Sequence, residues 1–201
     1  MDLVPKFIII FASYLLGSIP FGLLIAKRLR GIDIRLEGSG NIGATNVYRV
    51  VGPAAGLAVF TLDLLKGAVP CWVMLMVNPD KTWAMVAGLA AIIGHSLSVF
   101  LKFKGGKSVA TSFGILIGIA PEVGGIAIGI FVVVVALTRK VSLGSIIGAA
   151  SVPVFLVLFH YPTPVIGLIS LAVLLIIFRH LGNIKRLLNG TEPSFGVKKD
   201  K

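Results

Sequence analysis

The sequence predicts an all-α integral membrane protein with seven transmembrane helices, an outside N-terminus and a cytoplasmic C-terminus. Its composition is 56% hydrophobic and 13% charged, with a mean hydropathy of +0.99, whereas soluble domains carry about 25% charged residues. Several uncharged runs are long enough for a membrane helix, which needs about 20 residues. Between these runs, sixteen of the nineteen lysines and arginines fall into four short segments.

The uncharged runs and the prolines set the boundaries of the predicted spans. The run over residues 141–178 is too long for one span, and its turn is placed at Pro162 and Pro164, because a proline forces the preceding residue out of the helical region. Another pair of spans is divided at Pro121-Glu122. The seven predicted spans are residues 7–26, 51–77, 83–101, 108–120, 123–138, 142–159 and 164–179.

The four basic segments predict the orientation of the chain. Each follows an odd-numbered span, and cytoplasmic loops collect lysine and arginine, so all four are expected in the cytoplasm. An odd number of spans then leaves the N-terminus outside, and its lack of a basic n-region predicts a retained first span. We expect one domain over residues 1–201, with a disordered basic tail over about 195–201. The segments are residues 27–49, 102–107, 139–140 and 179–201, and they are called the first, second, third and fourth inner loops.

The first inner loop contains glycines at the spacing of a dinucleotide-binding fingerprint. That fingerprint has meaning only between a strand and a helix of a soluble sheet, whereas the acidic residue at the matching distance, Asp63, lies within the second span. Two interpretations stay open. The loop is either a glycine-rich turn or a cradle whose amides and side chains donate to anionic oxygens. The candidate cradle residues are Ser39, Gly40, Asn41, Thr45, Asn46 and Arg49.

The second inner loop places Gly105-Gly106 between Lys104 and Lys107, just before a helix predicted to open at Ser108. This arrangement is expected for an anion nest at a helix N-terminus, and the alternative is a basic loop that only sets topology. A P-loop is excluded, because Leu101 stands where that motif requires glycine. The following span is short, so either the bilayer thins locally or this loop lies below the membrane surface.

The remaining polar residues allow more than one role. Ser142 is either the N-cap of the sixth span or a hydroxyl pointing into a site. A helix continuing through residue 180 would place His180 and Asn183 on one face. Residues 185–188 resemble a basic amphipathic turn on the lipid surface, closed by Asn189-Gly190.

Charged residues also occur inside the predicted membrane region. Asp63 and Lys66 are three residues apart in the second span and are expected to pair. His95, in the third span, needs a hydrogen-bond partner. The eight acidic residues are scattered, so no metal site is expected.

With SGNIGATN, KGGK and HLGNIKRLLNGTEP in three inner loops, the chain resembles the bacterial membrane family of acyl-phosphate:glycerol-3-phosphate acyltransferases over nearly its whole length. The resemblance implies a seven-span protein of the bacterial inner membrane with a cytoplasmic active site. It also implies transfer of an acyl group from acyl phosphate to position 1 of glycerol-3-phosphate, giving lysophosphatidic acid and phosphate. No cofactor and no nucleic-acid partner is expected, and oligomeric state and acyl-chain preference stay open. One departure is Ser108, where the family's KGGKG pattern has glycine; because serine is small and a good N-cap, the nest is expected to survive.

The resemblance also implies roles for individual residues. The phosphate-binding region would be lined by Ser39, Gly40, Asn41, Thr45, Asn46 and Arg49. The acyl-phosphate donor would be held by Gly105, Gly106 and Lys107, with Ser108 next to them. The candidate catalytic residues are Arg49 and a set expected around glycerol-3-phosphate, namely Lys104, Ser142, His180 and Asn183. Glu192 matches the family's final acidic position and is expected to be a structural tie.

Both implied substrates are anions, so their repulsion grows as water is removed. Arg49, Lys104 and Lys107 would offset that repulsion. The proton of the acceptor hydroxyl could pass to His180 or to the acceptor's own phosphate, whose second pKa is about 6. We hypothesise that His180 mainly holds the acceptor. The rival class is an anion transporter built on the charged residues within the membrane.

Overall fold

The computed structural model describes residues 2–196, and every regular element within that range is helical. Two short 3₁₀ turns, Ile34–Leu36 and Val99–Leu101, lie in the loops. The α-helices are α1 (Val4–Ser18), α2 (Phe21–Arg30), α3 (Ala44–Val50), α4 (Pro53–Val77), α5 (Lys81–Ser96), α6 (Val109–Ile119), α7 (Pro121–Thr138), α8 (Val141–Leu158), α9 (Thr163–Arg179) and α10 (Leu181–Leu188).

Five segments of the described chain are long and apolar enough to cross a membrane: Val4–Arg30, Pro53–Val77, Lys81–Leu101, Pro121–Thr138 and Val141–Leu158. The pair α9 and α10 adds a sixth candidate, bent by 55°. The 11-residue helix α6 is apolar but short. An all-helical, multi-span architecture is therefore confirmed, whereas the count of seven spans and the orientation of the termini stay predictions.

Proline and glycine positions account for most helix ends. α7 begins at Pro121 and α9 begins at Thr163, directly after Pro162, which confirms both predicted breaks. The first predicted span is interrupted, because α1 ends at Ser18 and Pro20 precedes α2. α2 ends at Gly31, whose φ of +67° suits a left-handed C-cap.

The chain divides into two compact units between Ala120 and Pro121, while the prediction of one domain over residues 1–201 stays a prediction. In the first unit, α4 packs against α5 and α6, and α1 packs against α5. A Cβ on Gly67 would lie 2.0 Å from the Thr111 carbonyl oxygen, and one on Gly114 would lie 1.9 Å from that of Leu64. These glycines let the backbones of α4 and α6 touch, as small residues do between membrane helices.

The first inner loop has a small hydrophobic core of its own. Side chains from α2, the loop, α3 and α4 meet there, so the loop is a packed structure. Gly22 of α2 permits this packing, since a Cβ on it would lie 1.8 Å from the Ile42 carbonyl oxygen. The core residues are Ala26, Ile34, Ile42, Val47, Val51, Ala55, Val59 and Leu101.

The second unit is built from α7 to α10 and the segment after α10. α7 packs on α8, α8 packs on α9, and α10 contacts both α8 and α9. At the turn before α9, Tyr161 donates a hydrogen bond to the Glu122 carboxylate, and burial together with this bond raises the pKa of Tyr161. Of the predicted basic tail, only Phe195 and Gly196 lie within the described residues.

Candidate functional site

The first inner loop is organised by Asn46, which is 2% exposed. Its Oδ1 accepts from the Ser39 amide at 2.9 Å, and its Nδ2 lies 3.2, 3.0 and 2.9 Å from the carbonyl oxygens of Ile34, Glu37 and Asn41. A Cβ on Gly38 would lie 2.3 Å from Asn46 Oδ1, which explains the glycine there. Asn46 thus has a structural role in the loop, and its direct contact with phosphate stays a prediction.

Several amides of this loop are used within the loop. The Gly40 amide donates to the Glu37 carbonyl at 2.9 Å, and the Gly43 amide donates to Asn41 Oδ1 at 2.8 Å. A cradle of backbone donors could therefore not include these amides, and anion binding by this loop stays a prediction. Its outward polar groups are side chains, since Ser39 is exposed, and Thr45 and Arg49 stand one turn apart on the same face of α3.

The second inner loop caps the end of α5. The amides of Gly105 and Gly106 donate to the carbonyls of Ser96 and His95 at 3.1 and 3.0 Å, which the helix end would otherwise leave without partners. A Cβ on Gly105 would lie 1.9 Å from the His95 carbonyl oxygen. The paired glycines are thus explained by close packing on α5, and binding of an anion at Gly105 and Gly106 stays a prediction.

Ser108 occupies the N-cap position of α6 but does not cap it. Its backbone has a φ of +62° and ψ of 13°, the left-handed region that favours glycine. Its hydroxyl instead contacts the Ser96 hydroxyl at 2.7 Å and donates to the Ile92 carbonyl at 3.0 Å. This backbone angle gives a physical reason for glycine in the KGGKG pattern, and the expectation of side-chain capping by Ser108 is wrong.

In the second unit, a buried cluster forms around Glu192, which is 7% exposed. Its Oε1 accepts from Ser142 Oγ at 2.6 Å and from Asn183 Nδ2 at 2.7 Å. Its Oε2 accepts from Arg186 Nε at 2.8 Å. Glu192 thereby joins α8 to α10, in agreement with the expected structural tie. Ser142 is the second residue of α8 and makes no capping bond, so its N-cap role is wrong.

The Glu192 carboxylate is held in its charged form. Burial raises its pKa, but the hydrogen bonds from Ser142, Asn183 and Arg186, together with the charge of Arg186, outweigh burial and hold the pKa below its usual value. The two predicted site residues on this carboxylate, Ser142 and Asn183, are therefore oriented by a permanent negative charge at neutral pH.

The segment after α10 folds back onto the turn between α7 and α8. Lys140 Nζ donates to the Glu192 carbonyl oxygen and lies 3.0 Å from Ser194 Oγ. The Phe195 amide donates to the Arg139 carbonyl at 2.7 Å. The C-terminal segment up to Phe195 is therefore ordered against the third inner loop, which corrects the prediction that disorder begins at residue 195.

His180 lies at the bend between α9 and α10 and is 2% exposed. The helix axis bends by 55° here, but the Asn183 amide donates to the His180 carbonyl at 2.8 Å, so a shared face of His180 and Asn183 stays a prediction. Its Nδ1 lies 2.8 Å from the Ile176 carbonyl oxygen, an acceptor that requires Nδ1 to carry a hydrogen. The ring is thus fixed in orientation by its Nδ1.

The basic residues of the inner loops differ in their surroundings. The Arg35 guanidinium donates two hydrogen bonds to the Asp33 carboxylate, from Nε to Oδ1 at 2.9 Å and from Nη2 to Oδ2 at 2.5 Å. These bonds lower the pKa of Asp33 to about 2. Arg186 is paired with Glu192. Lys104 is exposed and Lys107 is half-buried. Arg35 and Arg186 thus each have a carboxylate partner, and neither is among the predicted anion-binding residues.

Two features of this arrangement had little signal in the sequence. Arg186 was expected on the lipid surface, and its pairing with Glu192 depends on how the chain turns at Gly190. The tether from Lys140 to Glu192 joins positions 52 residues apart. By contrast, the predicted pair Asp63 and Lys66 is confirmed, at 2.7 Å. No group of three His, Cys, Asp or Glu residues that could hold a metal ion is found among the described residues.

Comparisons with known proteins identify the family of this chain. The family profile described as glycerol-3-phosphate acyltransferase matches residues 7–190. The glycerol-3-phosphate acyltransferase of Geobacter sulfurreducens is 45% identical over 91% of this chain and 94% of its own. That of Trichlorobacter lovleyi is 48% identical over 91% of this chain and 94% of its own.

The fold is likewise similar to that of a solved membrane protein. A crystal structure of PlsY (YgiH), an integral membrane glycerol 3-phosphate acyltransferase in its glycerol 3-phosphate form, superimposes with a TM-score of 0.92 at 41% identity, covering 96% of each chain. Its lysophosphatidic acid form gives a TM-score of 0.90 with the same identity and coverage.

Ser108→Ala and Ser108→Gly separate backbone strain from hydrogen bonding. Both remove the contacts of the hydroxyl, which contribute about 1 kcal/mol each, but only glycine also relieves the positive φ, worth about 1 kcal/mol. We expect Ser108→Ala to lower the free energy of unfolding by about 1–2 kcal/mol and Ser108→Gly to be the more stable of the two. Thermal unfolding in detergent measures this, and equal midpoints for the two variants would contradict strain at Ser108.

Glu192→Gln is expected to lower the free energy of unfolding at pH 7 by about 1–3 kcal/mol, because Arg186 loses its charged partner. Since the folded-state pKa of Glu192 is lowered, this stabilisation is fully present above the ordinary value of 4.5 and disappears as the pH falls through the lower folded value. Thermal midpoints of wild type and variant should therefore converge on acidification. Glu37→Gln, an exposed position, is the control, and a gap that persists under acid conditions would refute the charge effect.

Proposed function

Since the chain belongs to the glycerol-3-phosphate acyltransferase family, we propose that it acylates the 1-hydroxyl of glycerol-3-phosphate, with acyl phosphate as donor and with lysophosphatidic acid and phosphate as products. The observation that carries the proposal is the set of three inner-loop motifs, SGNIGATN, KGGK and HLGNIKRLLNGTEP; the first two lie within the matched residues 7–190, and the third begins within them and ends at Pro193. The acyl-phosphate donor follows from the resemblance of these motifs.

The geometry of the loops supports anion binding by side chains. Because the amides of the paired glycines in the second loop and several amides of the first loop donate within the protein, we assign the phosphates to the side chains of Arg49, Lys104 and Lys107. Rigid loops suit this task, since a positioned cation needs little reorganisation when a phosphate binds. Ser39, Gly40, Asn41 and Thr45 would lie around the same anion. Lysine and arginine also offset the repulsion between two anionic substrates.

The proposed reaction transfers the acyl group to an alcohol oxygen. The 1-hydroxyl oxygen forms a bond to the acyl carbonyl carbon, the bond from that carbon to the phosphate oxygen breaks, and phosphate leaves with the electron pair. The hydroxyl proton passes to the phosphate of the acceptor or to His180. Phosphate is a good leaving group, so orientation matters more than general-acid help.

We assign His180, Asn183 and Ser142 to holding the acceptor. His180 is anchored through Nδ1 to the Ile176 carbonyl, so Nε2 would be the atom that contacts the substrate. Ser142 and Asn183 both donate to Glu192, which fixes their remaining polar atoms for hydrogen bonding. With its hydrogen on Nδ1, the neutral ring has Nε2 as an acceptor, which suits either role, and we assign His180 to positioning.

We further propose seven crossings, an outside N-terminus and an active side facing the cytoplasm of a bacterial inner membrane. The basic inner loops support this orientation. The count of seven is reached only if α6 also crosses, and its 11 residues extend only about 16 Å at 1.5 Å per residue. α5, with 16 residues, extends about 24 Å. Both are shorter than a hydrocarbon core of about 30 Å, so the loop over residues 97–108 would begin below the membrane surface.

The proposed function is tested with detergent-solubilised protein, an acyl phosphate of defined chain length and glycerol-3-phosphate. We expect phosphate release that requires both substrates, with stoichiometric lysophosphatidic acid detected by mass spectrometry. A variant lacking the loop cation, Arg49→Ala, is the negative control. Absence of turnover together with phosphate flux into protein-containing vesicles would instead support the anion transporter.

His180→Gln and Arg49→Ala distinguish a holding role of His180 from that of an indispensable base. Gln retains a polar group near the position of Nε2, so we expect about a tenfold loss in kcat/KM, against roughly a hundredfold or more when Arg49 loses its charge. Steady-state kinetics with varied glycerol-3-phosphate measures both. A loss in His180→Gln as large as that in Arg49→Ala would show that the imidazole itself takes the proton.

A further inference from the structure

Three ionisable side chains in the interior of the first unit have no part in the proposed reaction. Asp63 and Lys66 on α4 are 2.7 Å apart, with side chains 4% and 1% exposed. Lys66 also donates to the Ile19 carbonyl at 3.2 Å, at the break between α1 and α2. His95, on the last turn of α5, is 4% exposed and places Nδ1 3.7 Å from Asp63 Oδ1.

The other side of the His95 ring faces the second inner loop. A Cβ on Gly106 would lie 2.1 Å from His95 Nε2, and its three nearest atoms would all belong to this ring. The Gly106 amide also donates to the His95 carbonyl. The ring is therefore enclosed between the Asp63 carboxylate and the backbone of the loop that carries Lys104 and Lys107.

The end of α5 also contacts Ser108, at the C-terminal end of the second inner loop. Ser108, which follows Lys107, contacts Ser96 at 2.7 Å and Ile92 at 3.0 Å through its hydroxyl. The loop is thus fixed to one turn of α5 at both Gly106 and Ser108. The residue that Gly106 approaches, His95, lies next to the buried ion pair of Asp63 and Lys66.

We propose that His95, which lies beside the buried Asp63–Lys66 pair, is a positioning residue that fixes the position of Gly106 and so places Lys104 and Lys107 for the substrate phosphate. A buried ion pair costs free energy to desolvate and is weak as a source of stability, so a role in specifying one conformation accounts for its presence better. The inference rests on the proposed function, since the placed cations bind a substrate phosphate.

The test is a double-mutant cycle with His95→Ala, Gly106→Ala and the double variant, using acyl phosphate and glycerol-3-phosphate in detergent. Each single change should raise the KM of one substrate by about tenfold to a hundredfold, with a smaller effect on kcat, since displaced cations weaken binding. Truncating His95 removes the three atoms that the Gly106 Cβ would meet. The fold-increase in KM of the double variant should therefore be well below the product of the fold-increases of the two single variants.

A control cycle uses Gly125→Ala instead of Gly106→Ala, because a Cβ added at Gly125 meets nothing within 4 Å. There we expect Gly125→Ala to be silent alone and in combination with His95→Ala. If His95→Ala does not fold, His95→Asn, which leaves a smaller cavity, takes its place in both cycles.

The outcomes separate this inference from the function on which it rests. An active wild type with multiplicative KM effects in the Gly106 cycle would overturn the positioning role alone. Equal losses of kcat and apparent affinity that follow thermal stability would also overturn it, since they indicate a purely structural residue. A wild type inactive with both substrates would overturn the proposed function and this inference together.

Discussion

The structure of the inner loops depends on one constraint: polar backbone groups near or within a membrane need hydrogen-bond partners from the protein, because hydrocarbon supplies none. The end of α5 shows the consequence, since its last carbonyls are satisfied by the amides of Gly105 and Gly106. The first inner loop meets the same requirement with the amide group of Asn46, which gathers three carbonyls and one amide. Glycine is needed in both loops for close approach.

This constraint explains how the positive charges are divided. Backbone amides that complete helix ends cannot also serve an anion, so anion binding falls to long side chains that extend from the loops. Several cations already have carboxylate partners in the described structure: Arg35 pairs with Asp33, Lys66 with Asp63, and Arg186 with Glu192. A net charge of +11 thus overstates the charge available to a substrate.

The sequence predicted those features that depend on neighbours along the chain. Prolines and uncharged runs placed the ends of α7 and α9, and a spacing of three residues predicted the pair Asp63 and Lys66. The seven-residue helix α3 was missed, because its glycine-rich flank reads as a turn. The bend at His180 was missed as well, since neither proline nor glycine precedes it within the last turn of α9.

Contacts between distant segments could not be predicted from the sequence. The glycines at 105 and 106 suggested an anion nest, and only the position of His95 reveals what they touch. Likewise, Ser142 and Asn183 were chosen as site residues by motif, but their common partner Glu192 depends on the fold of α8 and α10. The motifs predicted candidate site residues, whereas the orientation of their side chains required the tertiary structure.

The shortness of α5 and α6 has a consequence for kinetics. In the proposed orientation, a loop that begins below the surface meets the donor's phosphate while the acyl chain stays among the lipids. The donor then does not have to be extracted into water, and encounter takes place in two dimensions. Turnover would therefore follow the mole fraction of donor in the bilayer rather than its bulk concentration, so adding inert lipid would slow the enzyme by surface dilution.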